Sequence, residues 1–197
     1  MPDTARGASD DDARTSLHVT PTGVRQTARH YIRDLVYGAN DGIVTTFAVV
    51  AGVAGGKLSL LAVLVVGAAN LLADGLSMGV SNYLGIRSHE SARAAENLPE
   101  EEAHPARHGL ATFVAFVVAG LVPLTPYLIP GATFDRFALA SLLTLATLFT
   151  VGASRSLVTD GNWLSDGLEM LGLGVLVAAV AYGAGAAVAA LAGDALS

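Results

Sequence analysis

The sequence predicts an all-α, polytopic membrane protein with five transmembrane helices, and three observations carry that prediction. Hydrophobic residues make up 52% of the 197 and charged residues only 14%, against roughly 25% charged in an ordinary soluble domain. Five segments, 34–56, 58–86, 109–129, 134–157 and 165–192, reach the roughly 20 predominantly apolar residues that a bilayer crossing requires. The breaks between them consist of residues that end helices.

Taken in order, residues 1–31, which include "ASDDDARTS", have no apolar run of the kind a secretory signal carries and read as a disordered polar tail. Residues 32–197 form one five-helix transmembrane domain. The first span closes at the tight turn "AGGK". The second leads into a short charged loop, 87–108, "RSHESARAAENLPEEEAHPARH", where Pro99 and Pro105 prevent one continuous helix. The third ends at "PYLIPG", and the fourth at the polar turn "TDGNW" with its interfacial tryptophan. Five crossings put the termini on opposite sides. With the N-terminus inside, the inner side collects Arg25, Arg29, Arg33, Arg87, Arg93, Arg107 and Arg155, and the outer side only Lys57 and Arg136. The arginine bias therefore places the N-terminus in the cytoplasm. Small residues four apart, Gly38 with Gly42 and Gly52 with Gly56, would permit close helix contact in lipid.

Composition excludes several functions. Without cysteine there is neither a disulfide nor a thiolate metal site. A net charge of -6 with scattered arginines offers no face to nucleic acid. No His-x-x-x-His or Glu-x-x-His pair lies on a helix and no phosphate-cradling glycine loop follows a strand, so an enzyme is not expected. Arginine in place of lysine, with abundant alanine, glycine, valine and leucine, points to a GC-rich prokaryote and so to its cell membrane.

Ionisable groups in mid-span are costly unless paired, hydrated or neutralised, and mark function by default. Asp41 lies inside the first span, with Asn40 beside it and Thr45 one turn on. In the second span Asn70, Asp74 and Met78 stand at i, i+4 and i+8, one stripe of a helix, flanked by Ser77 and Ser81. Oxygens alone suit magnesium or calcium, whereas an added thioether shifts preference toward transition ions such as Fe2+ and Mn2+. The plainer reading is that these groups bond across to neighbouring helices while Met78 fills space. Glu169, one turn into the fifth span, is a secondary candidate that Arg155 could pair. "DGLSM" at 74–78 is echoed by "DGLEM" at 166–170, too short a match to establish a repeat. In the charged loop, Glu90, Glu96, Glu100, Glu101 and Glu102, with His89, His104 and His108, are candidates for cytoplasmic metal capture, against the ordinary role of a solvated loop.

"IRDLVYGANDGIVTTFAVVAGVAGG", "NLLADGLSMGVSNYLGIRSHE", "GLATFVAFVVAGLVPLTPYLIP" and "VGASRSLVTDGNWLSDGLEMLGLG" together resemble the vacuolar iron transporter family. The resemblance covers nearly everything from Ile32 to the last helix, and "GANDGIVTTFAVVAG" is its most specific part. It implies a homodimer of five-helix protomers that moves Fe2+, Mn2+ or similar ions out of the cytosol in exchange for protons, with no permanently bound cofactor. It also implies that Asp41 and Met78 line a path between protomers and that Asp34 is an acid near the cytoplasmic entrance. Asn70 stands where iron-transporting plant members have an acid, and Asp74 supplies one a turn later, as in the nodulin-like branch. The long glutamate-rich cytoplasmic domain of the iron-storing members is absent. The expected partners are divalent ions, the bilayer and a second copy. The alternative is a non-transporting membrane protein, structural or metal-responsive, whose acids pair internally.

Overall fold

The computed structural model describes residues 16–17, 21–156 and 161–196. Five α-helices follow one another: α1 Val24–Gly55, α2 Leu60–Ala95, α3 Pro105–Gly120, α4 Arg136–Arg155 and α5 Trp163–Leu196, with a 3₁₀ segment Val122–Leu128 after α3. No strand occurs among the described residues. Four of the helices are long and apolar enough to cross a membrane, and α3 with the 3₁₀ segment makes a fifth crossing if the bent pair is one span. The chain is thus a multi-pass, all-α membrane protein.

Local chemistry sets the helix ends. Ser59 caps α2 by accepting from the Ala62 N–H at 3.2 Å, and Asp135 caps α4 by accepting from the N–H groups of Phe137 and Ala138 at 2.9 and 3.1 Å. Asn162, in "TDGNW", accepts from the Leu164 N–H at 3.0 Å at the start of α5. Lys57 and Asn97, at φ 52° and 57°, turn the chain after α1 and α2. Pro105 begins α3, where its missing N–H costs nothing.

Three boundaries differ from expectation. Helix α1 begins at Val24, so residues 24–31 are helical although they were expected to be tail; residues 1–15 and 18–20 lie outside the described residues. The expected loop 87–108 is mostly helix, because α2 runs on to Ala95 and only 96–104 connects it to α3. Pro99 falls beyond the helix end and Pro105 on a helix start, so neither interrupts a helix. The third span, expected to be continuous, bends by 43° after Gly120, where Pro123 and Pro126 remove two backbone donors and the chain tightens into a 3₁₀ helix.

Helix α1 is central and touches the other four, with Ile43, Thr46 and Val50 fully buried along it. It meets α3 at backbone contact: a Cβ on Gly38 or Gly42 would overlap the carbonyl oxygens of Thr112 or Phe116. A Cβ on Gly79 would come 2.8 Å from the Gly109 carbonyl oxygen, which closes α2 on α3 in the same way. Helix α2 buries only one stripe, Val63, Gly67, Leu71, Gly75 and Gly79. Its opposite face is exposed and apolar, including Leu61, Val65, Leu72, Leu76 and Val80. At about 1.5 Å per residue, the 36-residue α2 outruns a hydrocarbon core about 30 Å thick. Its C-terminal half packs beside α1 and α3, where Asn82 reaches Asp34 and Thr112.

Candidate functional site

The helical stripe of α2 forms as the spacing requires, with Asn70 and Met78 half-buried and Asp74 exposed on the surface of the single protomer. Met78 packs on the core cluster that contains Val63, Leu71 and Phe116. Asn70 Nδ2 is buried without a hydrogen-bond partner among the described residues. Asp41, half-buried on α1, lies within electrostatic range of Asp74. The Thr45 hydroxyl donates to the Asp41 main-chain carbonyl at 2.7 Å and is thereby committed to its own helix. Glu169 is apart from this group, exposed, with an oxygen 3.8 Å from Nη1 of Arg155.

A second constellation lies where α1, α2 and α3 converge around Asp34. Asp34 is almost wholly buried, with 2% of its surface exposed. Its Oδ1 accepts from Asn82 Nδ2 at 2.8 Å, and its Oδ2 lies 2.5 Å from His108 Nδ1. The Asn82 amide also donates to Thr112 Oγ1 at 2.8 Å, and the Thr112 hydroxyl donates to the His108 carbonyl at 3.0 Å. On the other edge of the ring, His108 Nε2 stands 2.9 Å from Glu102 Oε2, and His30 Nε2 stands 3.3 Å from that same oxygen. Tyr31 and His30 pack against the His108 ring, with centroids 4.7 and 4.9 Å away. His30, Asp34, Asn82, Glu102 and His108 line an open cavity of about 650 Å³ that His89 also borders.

The loop acids divide by environment. Glu90 accepts from the backbone N–H groups of Glu101 and Glu102 at 3.3 and 3.1 Å, so it holds the loop in place. Glu101 pairs with Arg93 at 2.8 Å. Glu100 accepts from the Ser16 hydroxyl at 3.5 Å. Glu96 is an exposed residue at the end of α2. The backbone N–H of His104 donates to Glu102 Oε1 at 3.0 Å. Of the loop candidates, Glu102 turns inward to meet His108 and, through it, the buried Asp34 carboxylate.

Sequence reasoning pointed to Asp34, Glu102 and His108 but not to His30, Asn82 or Thr112. His30 stands one turn before Asp34, and His108 one turn before Thr112, as the first turns of α1 and α3 require. That both pairs, with Asn82, face one another is a matter of helix packing, which periodicity does not report.

The sequence matches the VIT family over residues 32–104 and 90–186. It is 28% identical to the vacuolar iron transporter of Toxoplasma gondii, over 81% of this chain and 74% of that protein. It is 24% identical to vacuolar iron transporter 1 of Arabidopsis thaliana, over 89% of this chain and 96% of that protein. The vacuolar iron transporter of Plasmodium falciparum is likewise 24% identical, over 77% of this chain and 80% of that protein. With the family matched along most of its length and a membrane-spanning all-α fold, the chain belongs to the VIT family.

Proposed function

We propose that the protein is a secondary transporter that exports divalent transition-metal ions, Fe2+ or Mn2+ or both, from the cytosol in exchange for protons. The observation that carries this reading is the pair of intramembrane carboxylates, Asp41 on α1 and Asp74 on α2, with the Met78 thioether one turn beyond. Two acids within range of one another at that depth need a compensating charge. A dication supplies it on the way in, and protons supply it after the ion leaves, so the acids stay neutralised through the cycle. The thioether favours a transition ion over magnesium without the grip of a thiolate, and transit requires a weak grip. The names of the vacuolar iron transporters above support the same ion class.

Two further features belong to this reading. An exposed Asp74 on an apolar helix face is best covered by a second copy, which makes the path an interface between protomers. The arginine bias supports an N-terminus in the cytoplasm, which puts the Asp34 constellation at the cytosolic mouth and Asp41 and Asp74 further along the route. The arginine-rich, alanine-rich composition supports a prokaryotic cell membrane, although the relatives named above are eukaryotic.

The alternative, a non-transporting membrane protein whose acids pair internally, finds support only at Glu169, whose neighbour is Arg155. Among the described residues no base pairs with Asp41 or Asp74. Purified protein in proteoliposomes should take up Fe(II) or Mn(II) with a matching proton flux, and Asp41→Ala should abolish both. Unchanged flux in that variant would overturn the reading.

A further inference from the structure

We propose that His30, Glu102 and His108 form a divalent-metal capture site at the cytosolic mouth, with two imidazoles and one carboxylate as ligands and Asp34 as the group that orients His108. Its place on the route rests on the transport reading above; its coordination chemistry does not.

Convergence is the first argument. One ligand atom from each of His30, His108 and Glu102 lies within 4.8 Å of the other two, and Glu102 Oε2 stands 2.9 Å from His108 Nε2 and 3.3 Å from His30 Nε2. Ligand atoms about 2.1 Å from an ion in tetrahedral or octahedral array stand roughly 3.0–3.4 Å apart. An ion therefore needs only small side-chain shifts to be seated.

The second argument is orientation. His108 Nδ1 faces Asp34 Oδ2 at 2.5 Å, and Asn82 holds the other oxygen of that carboxylate at 2.8 Å. Because the Nδ1 edge faces Asp34, Nε2 is the ring atom left to an ion, which takes the place of the proton between Nε2 and Glu102 Oε2; a carboxylate behind the ring orients a metal-binding histidine and raises its basicity. Glu102 is set in the same manner: its Oε1 accepts from the His104 N–H at 3.0 Å, which leaves Oε2 directed at the two rings.

Chemistry and access complete the case. Two imidazoles and a carboxylate suit Fe(II), Mn(II), Co(II) or Zn(II), and they discriminate against magnesium and calcium, which prefer all-oxygen shells. All three ligands border the 650 Å³ cavity, so water can fill the remaining coordination positions and exchange. Such a site strips part of the hydration shell from a transition ion and rejects abundant magnesium before the membrane path begins. It does so with three side chains where other members of the family are expected to use a long cytoplasmic domain.

The test uses the full-length protein in detergent with Co(II) as probe, followed by visible absorption and calorimetry. The expected result is a Co(II) site with imidazole-ligand d–d bands. His30→Ala and Glu102→Gln should each weaken it by about tenfold or more, while Asp41→Asn leaves it intact. His108 is the most buried ligand, so the decision rests on the other two variants, whose unchanged melting without metal verifies the fold. Co(II) affinity indifferent to both His30→Ala and Glu102→Gln would overturn the proposal and leave the cluster as a structural ion-pair knot. Wild-type protein that binds Co(II) here but moves no metal across proteoliposomes would keep the site and remove the transport reading. Metal transport by wild-type protein whose Co(II) binding is indifferent to both His30→Ala and Glu102→Gln would remove the site alone.

Discussion

Asp34 and Asp41 sit on one helix, seven residues apart, yet the structure satisfies them in opposite ways. Asp34 is enclosed by Asn82 and His108, whereas Asp41 has a second carboxylate, Asp74, within electrostatic range. The first arrangement is stable as it stands, and the second calls for a cation. Asn82→Ala should lower stability by about 1–3 kcal/mol, because a buried carboxylate loses a donor and Thr112 loses its partner; thermal melting in detergent measures it. Asp41 and Asp74 should behave as a unit. If each Asn variant abolishes transport, the double variant should be no worse than either alone, and initial rates in proteoliposomes test that non-additivity.

At the scale of elements, backbone contact at glycines joins α1 and α2 to α3 alongside side-chain packing around Phe116. A methyl at Gly109 would stand 2.5 Å from the Gly79 carbonyl oxygen, against backbone that cannot swing aside. Gly109→Ala should therefore force α2 and α3 apart and lower the melting temperature markedly. Gly172→Ala, where a Cβ meets nothing within 4 Å, should leave it near the wild-type value, and comparing the two melts separates packing from helix propensity. Because α2 closes on α3 at the level of Gly79, Asn82 one turn further on is drawn against Thr112 and Asp34. The same glycines that allow packing thus assemble the constellation around Asp34.

For the whole molecule, the informative asymmetry is between buried and exposed faces of α2. One stripe of small and apolar residues is covered, and the other face carries Asp74 and Ser77 into the surroundings of the single protomer. If a second copy covers that face, a thiol introduced at Ser77 should cross-link two protomers on mild oxidation. One introduced at Val180, exposed on α5, should not. The chain has no cysteine of its own, so each variant carries a single reporter, and non-reducing electrophoresis of membranes distinguishes the outcomes.

The sequence by itself determined the membrane class, the number and order of apolar segments and the stripe of Asn70, Asp74 and Met78. Each is a consequence of local hydrophobicity and of the 3.6-residue period. It also marked Glu102 and His108 as candidates in the charged loop, and the family resemblance added Asp34. Tertiary structure alone decided that α2 continues past the expected loop boundary and that the third span bends after Gly120. It alone brought His30, Glu102, His108, Asn82 and Thr112 from four segments to one place. Period and composition report which face of a helix is apolar, but not which faces meet; that depends on where glycines let backbones touch, a property of pairs of helices and not of any one of them.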